Sequence, residues 1–172
     1  DVYPLFENGL RAHRGLDPAS HMRNVGRLMS RFTDVAAKNP YAWFPVRRSP
    51  EELVTVTPAN RMIAYPYPKY LNAVITTDQA AGCFVLSAAA ARTLGVPESR
   101  WVYWQGGAHT EEPAWFVSER RDFHSSPALA AAANAALARA GAEVDGIDAF
   151  DFYSCFPVAV ELACQELGLA ED

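Results

Sequence analysis

Hydrophobic residues recur every three or four positions through the first forty residues, which is the period of an amphipathic α-helix. The longest such stripe comprises Met22, Val25, Leu28, Met29, Phe32, Val35 and Ala36. Asp17 is a favoured N-cap and Pro18 a favoured first helical residue, while Asn39 and Pro40 end the pattern. The pattern therefore predicts a long second helix after a shorter one in YPLFENGLRAHRG. We expect His21 to lie on the exposed face.

Residues 40–79 follow neither the helical nor the strand period. They hold six of the twelve prolines and six aromatic residues. Proline fixes the backbone and removes a hydrogen-bond donor, so long regular elements are disfavoured here. The aromatic content is too high for a disordered linker. We therefore predict that residues 1–79 form a first domain of helices followed by an ordered segment that wraps the surface.

From residue 80 onward, short apolar runs alternate with helical patterns. The runs AAGCFVLS (80–87), RWVYWQGGAH (100–109) and IDAFDFYS (147–154) are typical of buried strands. Helical patterns follow each of them, at 88–97, 125–142 and 156–169. This alternation predicts an α/β fold with a largely parallel sheet covered by helices, and a second domain spanning residues 80–172.

Composition excludes several classes of function. A net charge of −5 and a pI of about 5.4 argue against nucleic acid as the main partner, because no basic surplus is present to neutralise phosphates. No apolar run reaches the ~18 residues of a membrane span. Cys83, Cys155 and Cys164 are an odd number without metal-ligand spacing, so we predict no disulfide framework and no metal site. A reducing cytoplasm is the simplest location.

The stretch DFYSCFP places Tyr153, Ser154 and Cys155 at the end of a predicted strand, where active sites of α/β proteins gather. The following helix start favours a reactive Cys155 thiol, but from these residues alone a packed strand end with a small buried cysteine is the better explanation. Arg61 and Lys69, among aromatic side chains, are suited either to gripping a nucleotide or to a structural wrap.

A second possible binding feature precedes the helix predicted at 125–142. There, RRDFHSSP combines arginines, His124 and a helix start, which suits either an anion site or a surface turn. For RRDFHSSP we predict a surface turn, whereas the residues alone do not choose between the alternatives for Arg61 and Lys69.

Two longer stretches resemble a known family. LNAVITTDQAAGCFVLSAAAARTLGVPESRWVYW looks like the middle of a thiolase, and ARAGAEVDGIDAFDFYSCFPVAVELACQELGL is similar to the part that follows. Its YSCF resembles the His-Asp-Cys-Phe motif of the sterol-carrier-protein-type thiolases and keeps Cys155 and Phe156. Residues 1–70 resemble the variable loop domain of thiolase-like acetyl-CoA acetyltransferases. The resemblance implies part of a thiolase-like fold.

The resemblance also implies an activity, namely acyl transfer on coenzyme A thioesters in lipid or sterol metabolism, without a covalently bound cofactor. Tyr153 takes the place of the Asn or His that helps to build the family's oxyanion hole, and Ser154 replaces an acidic residue. Arg61 and Lys69 would contact the phosphates or adenine of coenzyme A. The family's nucleophilic Cys and Gly-His-Pro motif are not among these residues. The resemblance therefore implies an internal fragment that is inactive alone.

Other functions compatible with this resemblance stay open. One is a thiolase-fold aldolase that cleaves a carbon–carbon bond of a steroid side-chain CoA ester, with Tyr153 as acid or base and a small OB-fold partner protein. Another is a non-catalytic protein that binds CoA esters. The resemblance further implies a homodimer or tetramer of the complete protein, paired near residues 80–87.

Overall fold

The computed structural model describes residues 2–171, and their regular secondary structure is mostly helix. The α-helices are α1 (Tyr3–His13), α2 (Pro18–Ala36), α3 (Pro50–Val54), α4 (Ala88–Thr93), α5 (Pro127–Ala140) and α6 (Pro157–Leu167). The strands are β1 (Met62–Ala64) and β2 (Tyr67–Pro68). Short 3-10 turns lie at Lys69–Leu71, Glu98–Arg100, Val117–Glu119 and Val144–Gly146. No helix within residues 2–171 combines the length and apolarity that crossing a bilayer requires.

Local sequence signals set the ends of the helices. The Asp17 carboxylate accepts a hydrogen bond from the Ser20 backbone N–H at 3.0 Å, which confirms the predicted start of α2. Gly141 and Gly168 end α5 and α6 with φ of 63° and 68°, a left-handed conformation that other residues adopt at a cost. The helical patterns predicted around 88–97, 125–142 and 156–169 are all confirmed as helices.

The strands β1 and β2 form an antiparallel pair within the proline-rich segment. Met62 lies opposite Pro68 and Ala64 opposite Tyr67. The pair is only a few residues long, in agreement with the expectation that prolines prevent extended regular structure here.

The three predicted strands of the parallel sheet are a point of disagreement. Residues 80–87, 100–109 and 147–154 have no strand pairing within the part of the chain that the structure describes. Their apolar side chains are largely exposed, including Phe84 at 94% and Val102 at 96%. The period of a sequence specifies which residues suit a buried strand, whereas a sheet also needs a neighbouring strand to accept its hydrogen bonds. No such neighbour lies beside these segments among residues 2–171.

The core lies where the first three helices meet α6. Its buried apolar residues are Leu10, Val25, Leu53, Tyr67, Leu71, Phe156, Val158 and Leu162. Burying one such side chain fully contributes about 1.5–3 kcal/mol. A second, smaller cluster joins α2 to α6 through Leu28, Val160 and Cys164, so Cys164 faces the core. The proposed boundary between residues 79 and 80 stays a prediction.

Candidate functional site

The stretch 151–157 leads directly into α6, and its last residues are anchored. Phe156 is the N-cap residue of α6 and is buried. The ring of Tyr3 stacks on Phe156 with centroids 4.4 Å apart, and the ring of Tyr67 lies 5.1 Å away. Tyr153, three residues earlier, is 87% exposed. The stretch therefore has a well-packed end at Phe156 and an accessible phenol at Tyr153.

Tyr153 and Cys155 form a hydrogen-bonded pair. The Cys155 thiol donates to the Tyr153 hydroxyl oxygen at 3.3 Å, and Cys155 is half-buried. The hydrogen bond and charge interaction with Cys155 raise the pKa of Tyr153. Burial, followed by the same two interactions with Cys155, raises the pKa of Tyr3. Both phenols are therefore neutral at physiological pH and able to donate a hydrogen bond.

Ser154 has a local role. Its hydroxyl donates to the backbone carbonyl of Phe156 at 2.6 Å, which closes the turn that starts α6. This bond holds the stretch in shape.

A cavity of about 180 Å³ opens beside the stretch. Its walls are Met29 of α2, residues 70–73 and residues 154–157. The Ala73 backbone N–H donates to the Cys155 carbonyl at 3.1 Å, which joins the two chain segments. The guanidinium of Arg48 lies 3.8 Å from the ring centre of Tyr70, at the cavity wall. Aromatic surface and a cysteine therefore line one small cavity, and Arg48 stacks on one of its lining rings.

Arg61 and Lys69 are brought next to each other by the β1–β2 pair. The Lys69 backbone N–H donates to the Arg61 carbonyl at 2.9 Å. Both residues are exposed, and no acidic side chain forms an ion pair with either of them among residues 2–171. Neither residue lines the cavity, although Tyr70, directly after Lys69, does. The two cations are therefore available to an anionic ligand near the cavity.

The arginine-rich turn before α5 is already occupied by protein groups. Arg120 forms an ion pair with Glu112 at 2.8 Å, and its guanidinium donates to the Ser125 carbonyl at 2.9 Å. The Glu166 carboxylate of α6 accepts a hydrogen bond from the Ser126 backbone N–H at 2.6 Å, so it takes the place of an anion at the start of α5. This geometry favours the surface-turn interpretation over an anion site.

A buried polar cluster was not expected from the sequence. Glu7, His21 and Glu161 are fully or almost fully buried, so the prediction that His21 is exposed is wrong. The Tyr67 hydroxyl donates to Glu7 at 2.6 Å, and His21 Nε2 hydrogen-bonds the other oxygen of Glu7. The sequence did contain a signal for the burial of His21, because His21 lies four residues before Val25, on the same face of α2 as the apolar stripe.

Comparisons with known proteins give one informative result. No protein-family model and no curated protein matches the chain. Among solved structures, the chain is similar to a protein described as a monomeric SCP2-thiolase like protein type 1 (STLP1) from Mycobacterium smegmatis, with a TM-score of 0.85 and 44% sequence identity. The match covers 99% of this chain and 37% of that one, so the chain spans little more than a third of that protein's length.

Proposed function

This chain belongs to the SCP2-like thiolase family, and from that premise we propose that it forms part of an acyltransferase site for coenzyme A thioesters. The observation that carries the proposal is the neutral Tyr153 phenol, paired with the Cys155 thiol beside a cavity at the start of α6. Acyl transfer with carbon–carbon bond formation passes through an enolate, whose negative oxygen needs a hydrogen-bond donor. A neutral, exposed phenol is such a donor.

In this proposal Tyr153 donates to the thioester oxygen. A base removes a proton from the carbon beside the thioester carbonyl, and the negative charge that results moves to the oxygen. A donor placed where this charge develops stabilises the transition state more than the bound substrate. Cys155 positions the phenol through its 3.3 Å hydrogen bond, and Ser154 holds the turn.

We assign Arg61 and Lys69 to the phosphates or adenine of coenzyme A. Their exposure, their adjacency and the absence of ion-pair partners in the described chain support this assignment. A guanidinium binds phosphate oxygens in a planar fork, whereas an ammonium acts as a point charge, so together they suit a nucleotide phosphate. Residues 70–73 then lead from these cations to the cavity wall.

A second candidate function is carbon–carbon cleavage of a β-hydroxyacyl-CoA, such as a steroid side-chain ester. The exposure of the Tyr153 hydroxyl favours it, because an accessible phenol that is protonated at neutral pH is able to act as a general acid. A base would take the hydroxyl proton, the bond between the α and β carbons would break, and Tyr153 would protonate the enolate at carbon. In this alternative the protein would act together with a small OB-fold partner protein.

The assembly and location of the complete protein are also proposals. The similar structure is described as monomeric, so it gives no support to the expected dimer or tetramer. Light scattering at micromolar concentration would decide this. Cys83, Cys155 and Cys164 are free thiols, which supports a reducing cytoplasm.

The deciding experiment compares Tyr153→Phe with Tyr41→Phe in the protein that carries this chain. Tyr41 is a matched control because its side chain is 86% exposed, close to the 87% of Tyr153. We expect Tyr153→Phe to lower kcat about a hundredfold, as the loss of an oxyanion donor does, with the Kd for acyl-CoA unchanged. The control should match the wild type in both quantities.

Two product assays separate the candidate reactions. Release of free coenzyme A together with an acetyl increment in the intact mass supports acyl transfer. Release of a carbonyl fragment with the thioester intact supports the lyase. Acyl-CoA binding without either product would show a non-catalytic CoA-ester binder, and equal losses of binding and turnover in Tyr153→Phe would contradict a transition-state role.

A further inference from the structure

The buried cluster around Glu7 joins four elements of the fold. Glu7 lies on α1, His21 on α2, Tyr67 on β2 and Glu161 on α6. Arg14, the C-cap residue of α1, donates to Glu161 Oε1 at 2.9 Å and also pairs with Glu171. The charged and titratable groups that face the cluster are Glu7, Arg11, Arg14, His21, Tyr67, Glu161, Cys164 and Glu171. No part of this cluster belongs to the site proposed above.

The hydrogen bonds determine where the protons lie. Tyr67 donates to one oxygen of Glu7, and His21 Nε2 lies within hydrogen-bonding distance of the other oxygen. With the ring proton on Nε2, both oxygens receive donors, so Glu7 is the carboxylate. His21 Nδ1 is buried without a partner, which disfavours a second proton on the ring, because that N–H would be buried and unsatisfied. His21 is therefore neutral, with its proton on Nε2.

Glu161 differs from Glu7 because only one of its oxygens receives a donor. Its Oε2 is fully buried and accepts no hydrogen bond. A charged carboxylate with an unsatisfied buried oxygen, next to a second carboxylate, is costly. One carboxyl oxygen of Glu7 and one of Glu161 lie within 4.8 Å of each other. A proton on Glu161 removes the second negative charge from this buried pair.

The charge count gives the same answer. With Glu161 protonated and His21 neutral, the cations Arg11 and Arg14 balance the anions Glu7 and Glu171. Removing the proton leaves one uncompensated negative charge in a region from which water is excluded. A buried charge without a partner is strongly destabilising.

A metal ion is the alternative occupant. Ligand atoms of Glu7, His21 and Glu161 lie within 4.8 Å of one another, which is compatible with a cation. However, the guanidinium of Arg14 already lies 2.9 Å from Glu161 Oε1, and its positive charge would repel a divalent ion at the same carboxyl group. His21 Nε2 would also have to lose the proton that it donates to Glu7. The arrangement suits a proton better than a metal.

We propose that Glu7 and Glu161 form a proton-binding site that holds one proton at neutral pH and ties α6 to α1, α2 and β2 while the proton is present. Loss of the proton at alkaline pH would loosen α6, which begins at residue 157 directly after the Tyr153–Cys155 pair. Burial and the neighbouring Glu7 raise the pKa of Glu161 to about 9, and burial raises that of Glu7 as well. Because the folded chain then binds a proton that the unfolded chain releases, stability falls as pH rises towards that value.

Protonation of His21 changes stability with pH in the opposite direction, and it sets the lower limit of the pH range in which Glu161 can be tested. Burial lowers its pKa, so its contribution to stability is present above the ordinary histidine pKa and is lost at more acidic pH. Between about pH 7 and 8.5 the Glu161 proton should therefore dominate. In this range one proton makes the unfolding equilibrium constant rise about tenfold per pH unit.

The first test measures chemical unfolding of the full chain across this range, in the wild type, Glu161→Gln and Glu143→Gln. The side chain of Glu161→Gln is uncharged and has nearly the same shape as the protonated acid but cannot ionise, so we expect the substitution to remove the pH dependence. Glu143 is exposed and has no side-chain cap bond, so Glu143→Gln should keep the wild-type slope. An unchanged slope in Glu161→Gln would overturn the proposal.

The second test does not depend on the variants folding. Carbon-13 NMR of the wild-type chain with labelled glutamate carboxyls should show one carboxyl that titrates above pH 7. Its absence would overturn the proposal. A rise in melting temperature on adding zinc after EDTA treatment would also overturn it, because the metal would require both carboxylates and the His21 nitrogen to be deprotonated.

Discussion

Tyr67→Phe isolates one buried hydrogen bond of the molecule. The Tyr67 side chain is fully buried, its ring packs against Phe156, and its hydroxyl donates to Glu7 at 2.6 Å. The substitution keeps the ring, so it opens only a small gap. What changes is that one oxygen of a buried carboxylate loses its donor.

The expected loss follows from the charge on Glu7. A hydrogen bond to a charged group contributes about 1.5–3 kcal/mol, against about 1 kcal/mol for a neutral pair. We therefore expect Tyr67→Phe to lower the free energy of unfolding by about 2 kcal/mol. For a chain of this size that corresponds to a fall in Tm of about 4–8 °C. Urea unfolding at neutral pH, followed by circular dichroism, measures the first quantity, and a thermal scan measures the second.

Two variants control this experiment. Tyr41→Phe removes an exposed hydroxyl and should change stability by less than about 0.5 kcal/mol. In a Glu7→Gln background, Tyr67→Phe should cost only about 1 kcal/mol, because the acceptor is then neutral. A loss below about 0.5 kcal/mol in the wild-type background, or an undiminished loss in the Glu7→Gln background, would refute the assignment of Glu7 as a carboxylate.

Three further predictions concern other parts of the chain. Gly26→Ala places a Cβ 2.7 Å from the Pro50 carbonyl oxygen, at the contact between α2 and α3. The overpacking should cost about 1–3 kcal/mol and outweigh the ~1 kcal/mol gain in helix propensity. We therefore expect a lower free energy of unfolding in urea. Ser49→Ala removes the capping box of α3 and should cost about 1 kcal/mol in the same assay, whereas an unchanged midpoint would count against the cap. Replacing both Arg61 and Lys69 by Ala should weaken the binding of coenzyme A, measured by calorimetry. Binding of a pantetheine thioester, which lacks the nucleotide, should not change. Equal weakening of both ligands would contradict phosphate contact.

The candidate site was partly predictable from the sequence. Tyr153, Ser154 and Cys155 are neighbours in the chain, so their proximity at a helix start follows from local signals such as Pro157. The cavity beside them was not predictable, because its other wall comes from residues 70–73, more than eighty positions earlier. The pairing of Arg61 with Lys69 likewise depends on the β1–β2 register.

By itself, the sequence determined the helices and their ends, because caps, glycine stops and the apolar period act over a few residues. It also indicated the thiolase family, through residues that are contiguous in the chain. Only the tertiary structure decided that Glu7, His21 and Glu161 are buried together, since three separate helices supply them and each looks like an ordinary polar residue in its own helix. Tertiary contacts also decided strand pairing, because a ladder of hydrogen bonds needs a neighbouring strand, and local sequence cannot specify one.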